Sequence, residues 1–302
     1  MKIRIMSKTL KNEYSLSNKI KKNWQSYILL TPYTIMFVLF TLLPLIVAVI
    51  LGFTYFNMLT PPKFVGFDNY VRMFTDDDIL IKSLKNTLII AFATGPASYL
   101  FCYIFAWMIN ELPKPIRTIV TVIFYAPVLS GQVSVIWNYL FSSDAYGFFN
   151  SFLMGIGVIS APIAWTTNTD FAMPIMMVTI FWGSLGTGFL SFLAGFKCVD
   201  SSLVEAGMID GIDNRLQEAW YITLPSMKPQ LVFGAVMQIV TSFSILGTSN
   251  AQYATETLLS HIVDVSNVRF ELGYGCALAT ILFLLMLLTQ KLVTLVLARV
   301  GT

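Results

Sequence analysis

"SSLVEAGMIDGIDNRLQEAWYITLPSMKP", residues 201–229, is the most polar long stretch of a chain that is otherwise dominated by apolar residues. It gathers Glu205, Asp210, Asp213 and Glu218 with Gly207, Gly211, Pro225 and Pro229. Around it lies a 302-residue chain that is 56% hydrophobic and only 12% charged, with a mean hydropathy of +0.72. Soluble domains average about 25% charged residues, so the composition is that of a membrane protein. Residues 201–229 are then a polar interruption between membrane segments.

Hydropathy divides the remainder into six apolar stretches, at about residues 27–53, 86–109, 117–140, 173–196, 229–247 and 274–297. Each is near the roughly 20 residues that a helix needs to cross about 30 Å of hydrocarbon. Helices are expected throughout, because backbone groups in lipid must be satisfied within their own segment. The fold class is therefore an all-α polytopic membrane protein with six transmembrane helices, spanning residues 26–302 behind a basic tail, residues 1–25.

That tail carries Lys2, Arg4, Lys8, Lys11, Lys19, Lys21 and Lys22 against Glu13 alone. The positive-inside rule places it in the cytoplasm, and six crossings return the C-terminus to the same side. The tail reads as an orientation signal with some affinity for anionic lipid rather than a nucleic-acid arm. The apolar run behind it is too long for the core of a signal peptide and is expected to stay as a helix. Residues 141–172 contain no Lys or Arg and residues 248–272 only Arg269, as outer loops should.

This topology makes residues 197–228 cytoplasmic, between the fourth and fifth helices. Ser202 with Glu205 forms a capping-box pattern and predicts a short helix from Leu203 that Gly211 stops. Asp213 is positioned to cap a second helix through Trp220 and Tyr221, which Pro225 ends before Ser226 and Pro229 start the fifth membrane helix.

The order Glu205-Ala206-Gly207, Asp210-Gly211, Ile222-Thr223-Leu224-Pro225 resembles the EAA loop of membrane subunits of binding-protein-dependent ABC importers, in particular the carbohydrate group. "LLPLIVAVILGFTYFN" at 42–57, "FVGFDNYVRMF" at 64–74, "KNTLIIA" at 85–91 and "FLAGFKCVDSSLVEAGMIDGI" at 192–212 resemble sugar permeases as well. Two departures stand out: Gly207 where alanine is usual, and an interval to Leu224-Pro225 one residue longer than in maltose-type loops. The resemblance implies a type I importer permease whose short helix is a coupling helix seated on a cytoplasmic ATPase. Glu205, Ala206, Gly207, Asp210, Gly211, Leu224 and Pro225 would carry that coupling. It further implies a second, related permease subunit, two ATPase subunits that bind ATP and Mg, an extracellular solute-binding protein, and the bacterial plasma membrane as location.

No G-x-x-x-x-G-K-[ST] phosphate loop occurs, so ATP hydrolysis is expected on another chain. The single histidine, His261, excludes an H-E-x-x-H metal site and reads as an ordinary loop residue. Cys102, Cys198 and Cys276 are far apart and read as packing residues; no catalytic residue, metal site or resident cofactor is expected.

The span cores lack Asp, Glu, Lys and Arg, apart from Lys197 and Lys291 near cytoplasmic ends. This disfavours an ion-driven carrier and favours a neutral cargo. Tyr125, Ser130, Gln132, Ser134, Trp137 and Asn138 of the third span, Trp182 of the fourth, and Gln238 and Ser242 of the fifth are candidates for a passage that hydrogen-bonds and stacks on sugars. Thr241 and Ser244 lie beside the last pair. Gly183, Thr187, Ser191 and Gly195 form a small-xxx-small ladder that reads as a packing seam. Import of a peptide, amino acid or other polar solute is the alternative cargo, and a stand-alone carrier or channel the alternative class.

Overall fold

A computed structural model describes residues 23–129, 133–247 and 255–299. The basic tail up to residue 22, and the passage candidates Ser130 and Gln132, lie outside the described residues. Among the described residues, four helical stretches are long and apolar enough to cross a membrane: Trp24–Leu51, Asp78–Asn110, Thr169–Cys198 and Leu272–Ala298. The expected third span comprises α5 (Lys114–Leu129) and α6 (Val133–Leu140), and the expected fifth is the 16-residue α13 (Lys228–Phe243).

The first apolar segment is α1 (Trp24–Phe37), a π turn at Val38–Leu42, and α2 (Leu43–Leu51). Two residues beyond the π turn stands Pro44, which has no N–H and whose ring crowds the carbonyl four residues back. The helix widens locally instead of breaking. A small hairpin, β1 (Thr54–Tyr55) with antiparallel β2 (Lys63–Phe64), follows. α3 (Asp68–Thr75) then pins it, the buried Asn69 amide donating to Gly52 O and Thr54 O at 2.9 Å each.

α4 (Asp78–Asn110) is the central post. Leu80, Ser83, Thr87, Ala91, Thr94, Ser98, Cys102 and Ala106 are buried on it at the three-to-four-residue spacing of one face. The buried stripe is small and hydroxylated while large apolar residues such as Phe92, Leu100 and Met108 face outward. That is the pattern expected in lipid, where small residues allow close helix approach. Thr87 and Thr94 return their hydroxyls to the carbonyls of Ser83 and Ile90, so the stripe leaves few demands on its neighbours.

Against α4 pack α9 (Thr187–Cys198), α13 and, beyond α13, α15 (Leu272–Ala298). One apolar core joins Cys102, Phe189, Phe192, Met227 and Leu231, and a second joins Met73, Leu80, Phe243, Leu258 and Leu278. The connecting elements are α7 (Phe148–Gly155), α8 (Thr169–Gly183), α10 (Ser201–Ile209), α11 (Arg215–Glu218), α12 (Leu224–Ser226) and α14 (Leu258–Val263).

The fourth apolar stretch is not one unbroken helix. α8 stops at Gly183 and α9 starts at Thr187, with Ser184, Leu185 and Gly186 turning between them. The freed Ser184 carbonyl accepts from the Gln238 amide at 3.1 Å and from the Cys102 thiol at 3.4 Å. Side chains of neighbouring helices thus satisfy backbone that the break exposes. The break also divides the expected ladder. Ser191 donates to Gln230 O at 3.1 Å and Gly195 lies against Met227 and Gln230, so both meet α13 and its entry, but Gly183 faces Val133.

Candidate functional site

The loop that leaves α9 is held by its backbone. Val199 is extended, and the Asp200 carboxylate caps α10 by accepting from Ser202 N at 3.0 Å. That amide holds the Asp200 carboxyl below the usual carboxylate range. This corrects the expected Ser202–Glu205 capping box: the helix starts at Ser201, so Ser202 is already inside it and Glu205 is exposed away from the cap.

At the other end Gly211 adopts φ +91°, the left-handed region open to glycine. Ile212 N donates to Gly207 O at 2.9 Å and Gly211 N to Met208 O at 3.2 Å, the paired bonds of a Schellman ending. Gly207 is the one buried residue of α10, and a Cβ there would lie 2.5 Å from Ile222 Cδ1. The glycine, where alanine is usual, therefore admits the side chain of a later turn. Asp210 is exposed beside it.

The second helix begins one residue later than expected: Asn214, not Asp213, is the cap, accepting from Leu216 N at 3.1 Å. Nor does Pro225 end the run. α11 passes into a π turn at Ala219–Thr223 and then into α12, which contains Leu224 and Pro225 and stops at Met227. The π turn again lies two residues before a proline, with the same physical cause as at Pro44. Both helices are thereby folded into one hook. It presents Leu203, Met208, Ile209, Leu216, Trp220 and Tyr221 outward, Ile209 at 87% exposure. Arg215 ties the hook to Glu218 at 3.0 Å and to Glu111, just past α4, at 3.6 Å.

The passage candidates separate into two groups. Trp137 on α6 and Trp182 on α8 meet edge to face with ring centroids 6.1 Å apart, and Phe124 sits 6.1 Å from Trp182. Tyr125 is half-buried and Asn138 exposed on the same pair of helices, α5 and α6, and Ser134 lies on α6. Gln238 and Ser242 are each only 4% exposed, enclosed by helices of this chain. Thr241 and Ser244 are the exposed polar residues of that segment. Gln238 and Ser242 do share a face, as their spacing required, but it is the packed face.

No known family model matches the chain. Against curated proteins it is 31% identical over 293 residues, 93% of its length, to the probable ABC transporter permease protein YesP of Bacillus subtilis, 92% of which is covered. The chain belongs to the ABC transporter permease proteins. The permease is also 27% identical to the lactose transport system permease protein LacF of Rhizobium radiobacter, with 76% of this chain and 78% of LacF covered. To the arabinooligosaccharides transport system permease protein AraP of Bacillus subtilis it is 27% identical, with 87% and 85% covered. Its fold matches a crystal structure of a bacterial ABC transporter involved in the import of the acidic polysaccharide alginate, at TM-score 0.74 and 22% identity, covering 95% of this chain and 99% of that one.

Two polar centres of the permease escaped the sequence reading. His261 is not an ordinary loop residue: it is 1% exposed, with Nε2 2.7 Å from Asp77 Oδ2. The Tyr274 hydroxyl donates to the same oxygen, and Ile79 N and Leu80 N donate to Asp77 Oδ1. Burial alone would raise the Asp77 carboxyl, but these donors hold it below its ordinary value. Arg72 stacks over the Tyr274 ring at 4.4 Å and pairs with Glu271 at 2.8 Å. The second centre is Asn150, fully buried in the 141–168 connection. Its amide donates to Ser142 O, Asp144 O and Ile163 O, and its carbonyl accepts from Ile163 N and Trp165 Nε1.

Proposed function

We propose that this permease is one membrane-spanning subunit of an ATP-driven importer that carries a mono- or oligosaccharide across the bacterial inner membrane. The supporting observation is its near full-length likeness to an ABC permease, together with relatives named for lactose and arabinooligosaccharide transport. A crystal structure of similar fold is that of a bacterial alginate ABC transporter in complex with an alginate pentasaccharide-bound periplasmic protein. Six helices would cross the membrane, with both termini cytoplasmic, and an extracellular binding protein would deliver the sugar. A second, related permease subunit would complete the passage.

In this reading the hook at residues 201–229 seats in a groove on a cytoplasmic ATPase subunit, where ATP and Mg bind. Its exposed apolar residues supply a face of the kind that marks protein contacts. Gly207, Gly211, Leu224 and Pro225 shape the backbone behind that face, while Glu205, Ala206 and Asp210 line its exposed edge. Closure of two ATPases would move the hooks, and the helices packed on them, as bodies. Trp137, Trp182, Tyr125, Ser134 and Asn138 would border the sugar's route, with aromatic faces against apolar sugar faces. The test is uptake of labelled sugars into vesicles reconstituted with the purified complex. ATP-dependent uptake competed by sugars supports the proposal; ATP-dependent uptake competed only by peptides or amino acids overturns the cargo, and uptake by this chain alone overturns the mechanism.

A further inference from the structure

The connection between α6 and α8 differs from the other long connections of the chain in carrying no charge. Residues 145–169 contain no Asp, Glu, Lys, Arg or His, whereas residues 54–77, 199–227 and 247–271 each contain several of them. Its inner side is complete. Phe149 stacks on Phe141 with ring centroids 4.7 Å apart, Trp165 meets Phe141 edge to face at 6.0 Å, and Asn150 ties α7 to Ile163 and Trp165. α7 ends at Gly157, φ +75°, where Gly157 N donates to Met154 O and Val158 N to Leu153 O. With its backbone fixed in this way, α7 sets Phe148 and Phe152, and Ile156 just past its end, along one line at four-residue spacing. Tyr146 and Val158 flank that line, and all five side chains are more than half exposed.

A rigid loop that displays five such side chains marks a contact, and the possible partners differ in what they demand. A soluble protein that docks and leaves requires a polar rim, which an uncharged stretch does not supply. A permanent protein partner covers roughly 800 Å² on each side, and at about 100 Å² for each half-exposed side chain the five fall short of that. A bilayer surface demands only apolar and aromatic side chains free of charge. The flanking helices present the same kind of side chain, Val135 and Tyr139 on α6 and Phe171 and Val178 on α8. We propose that α7 lies in the bilayer surface at which α6 ends and α8 begins, with Phe148, Phe152 and Ile156 at the boundary between headgroups and acyl chains. The connection is then an anchor in the membrane rather than a loop in water, and it fixes the ends of two helices proposed to border the sugar's route. The inference rests on α5 and α6 forming a crossing, and on neither the cargo nor the assignment of inside and outside.

The experiment places a nitroxide on one introduced cysteine at a time in the assembled transporter in lipid vesicles: Phe148→Cys, Phe152→Cys, Ile156→Cys, and Val135→Cys on α6. Cys198→Ser and Cys276→Ser leave the buried Cys102 as the remaining native thiol. Collisions of each label with oxygen, which concentrates in the bilayer, and with a water-soluble nickel chelate are then compared. Oxygen should exceed nickel several-fold at 148, 152 and 156, as at 135, whereas a label at Phe149→Cys, on the packed side, should meet little of either. Nickel exceeding oxygen at 148, 152 and 156, with 135 still favouring oxygen, puts α7 in water and overturns the proposal. Immobile labels that meet neither reagent put α7 against a protein and overturn it as well. Nickel exceeding oxygen at 135 too would overturn it by removing the crossing on which it rests.

Discussion

The two ends of α4 are built on opposite plans. At its N-terminus Asp77, His261 and Tyr274 bury polar groups to join three segments of chain. Beyond its C-terminus, about 50 Å away for 33 helical residues, the hook at 201–229 turns apolar side chains outward and is held mainly by backbone geometry. Buried polar groups tie together parts of one chain that must stay in register, because an unmatched partner is costly. A surface meant for another molecule leaves its side chains free and fixes only the path of the backbone. Substitutions should therefore separate: at the hook they should cut coupling without unfolding the chain, and at the polar centres they should destabilise it.

The largest effect is expected at Gly211. Proline fixes φ near −65° and removes an N–H, whereas Gly211 has φ +91° and donates to Met208 O. Gly211→Pro should leave insertion and thermal midpoint nearly unchanged and lower ATP-dependent uptake in reconstituted vesicles by about tenfold or more. Normal uptake in this variant would erase the contrast between the two ends.

Next comes Asn150. Asn150→Leu leaves several buried groups without partners at about 1–3 kcal/mol each, so a fall in the thermal midpoint of about 5 °C or more is expected. A smaller loss is expected for His261→Ala, about 1–3 kcal/mol for the donor withdrawn from Asp77, with His261→Gln recovering part of it. Thermal scans of the two variants side by side measure this directly.

The same centre has a pH signature. Because the folded Asp77 carboxyl lies below its ordinary 3.8, its contribution to stability is present above that value and is lost as pH falls through the folded value. Thermal midpoints of the wild type and Asp77→Asn should therefore be well apart at neutral pH and converge as pH drops below about 4. The smallest effect belongs to Gly207→Ala. The added methyl meets the flexible ends of the Ile222 and Ile212 side chains, and a loss below about 1 kcal/mol is expected, with uptake reduced less than threefold.

What the sequence showed and what it hid divide along the same line. The hook was legible because glycine and proline act locally, and Gly211 and the two ends of its helix were placed to within two residues. Two of the errors there were of one kind: Asp200 and Ser202, or Asp213 and Asn214, are all competent caps, and only the chain direction chooses between them; the third was Pro225, which widens the helix before it instead of ending it. The Asp77–His261 pairing was not legible, since its partners are 184 residues apart and no local pattern joins them. Spacing put Gln238 and Ser242 on one face of α13, but the face a membrane helix turns to its neighbours is set by packing. The break between α8 and α9 did leave a signal, in Gly183, Gly186 and Gly188, which also suits a continuous packing seam.

The central claim is that the hook is the contact for an ATPase, and Ile209 at its apex tests it most directly. A photo-crosslinking residue placed at position 209 in the assembled native membrane should capture a polypeptide that carries a phosphate-loop ATP site, identified by mass spectrometry. Adducts to lipid alone, with the complex still intact on purification, would contradict the account.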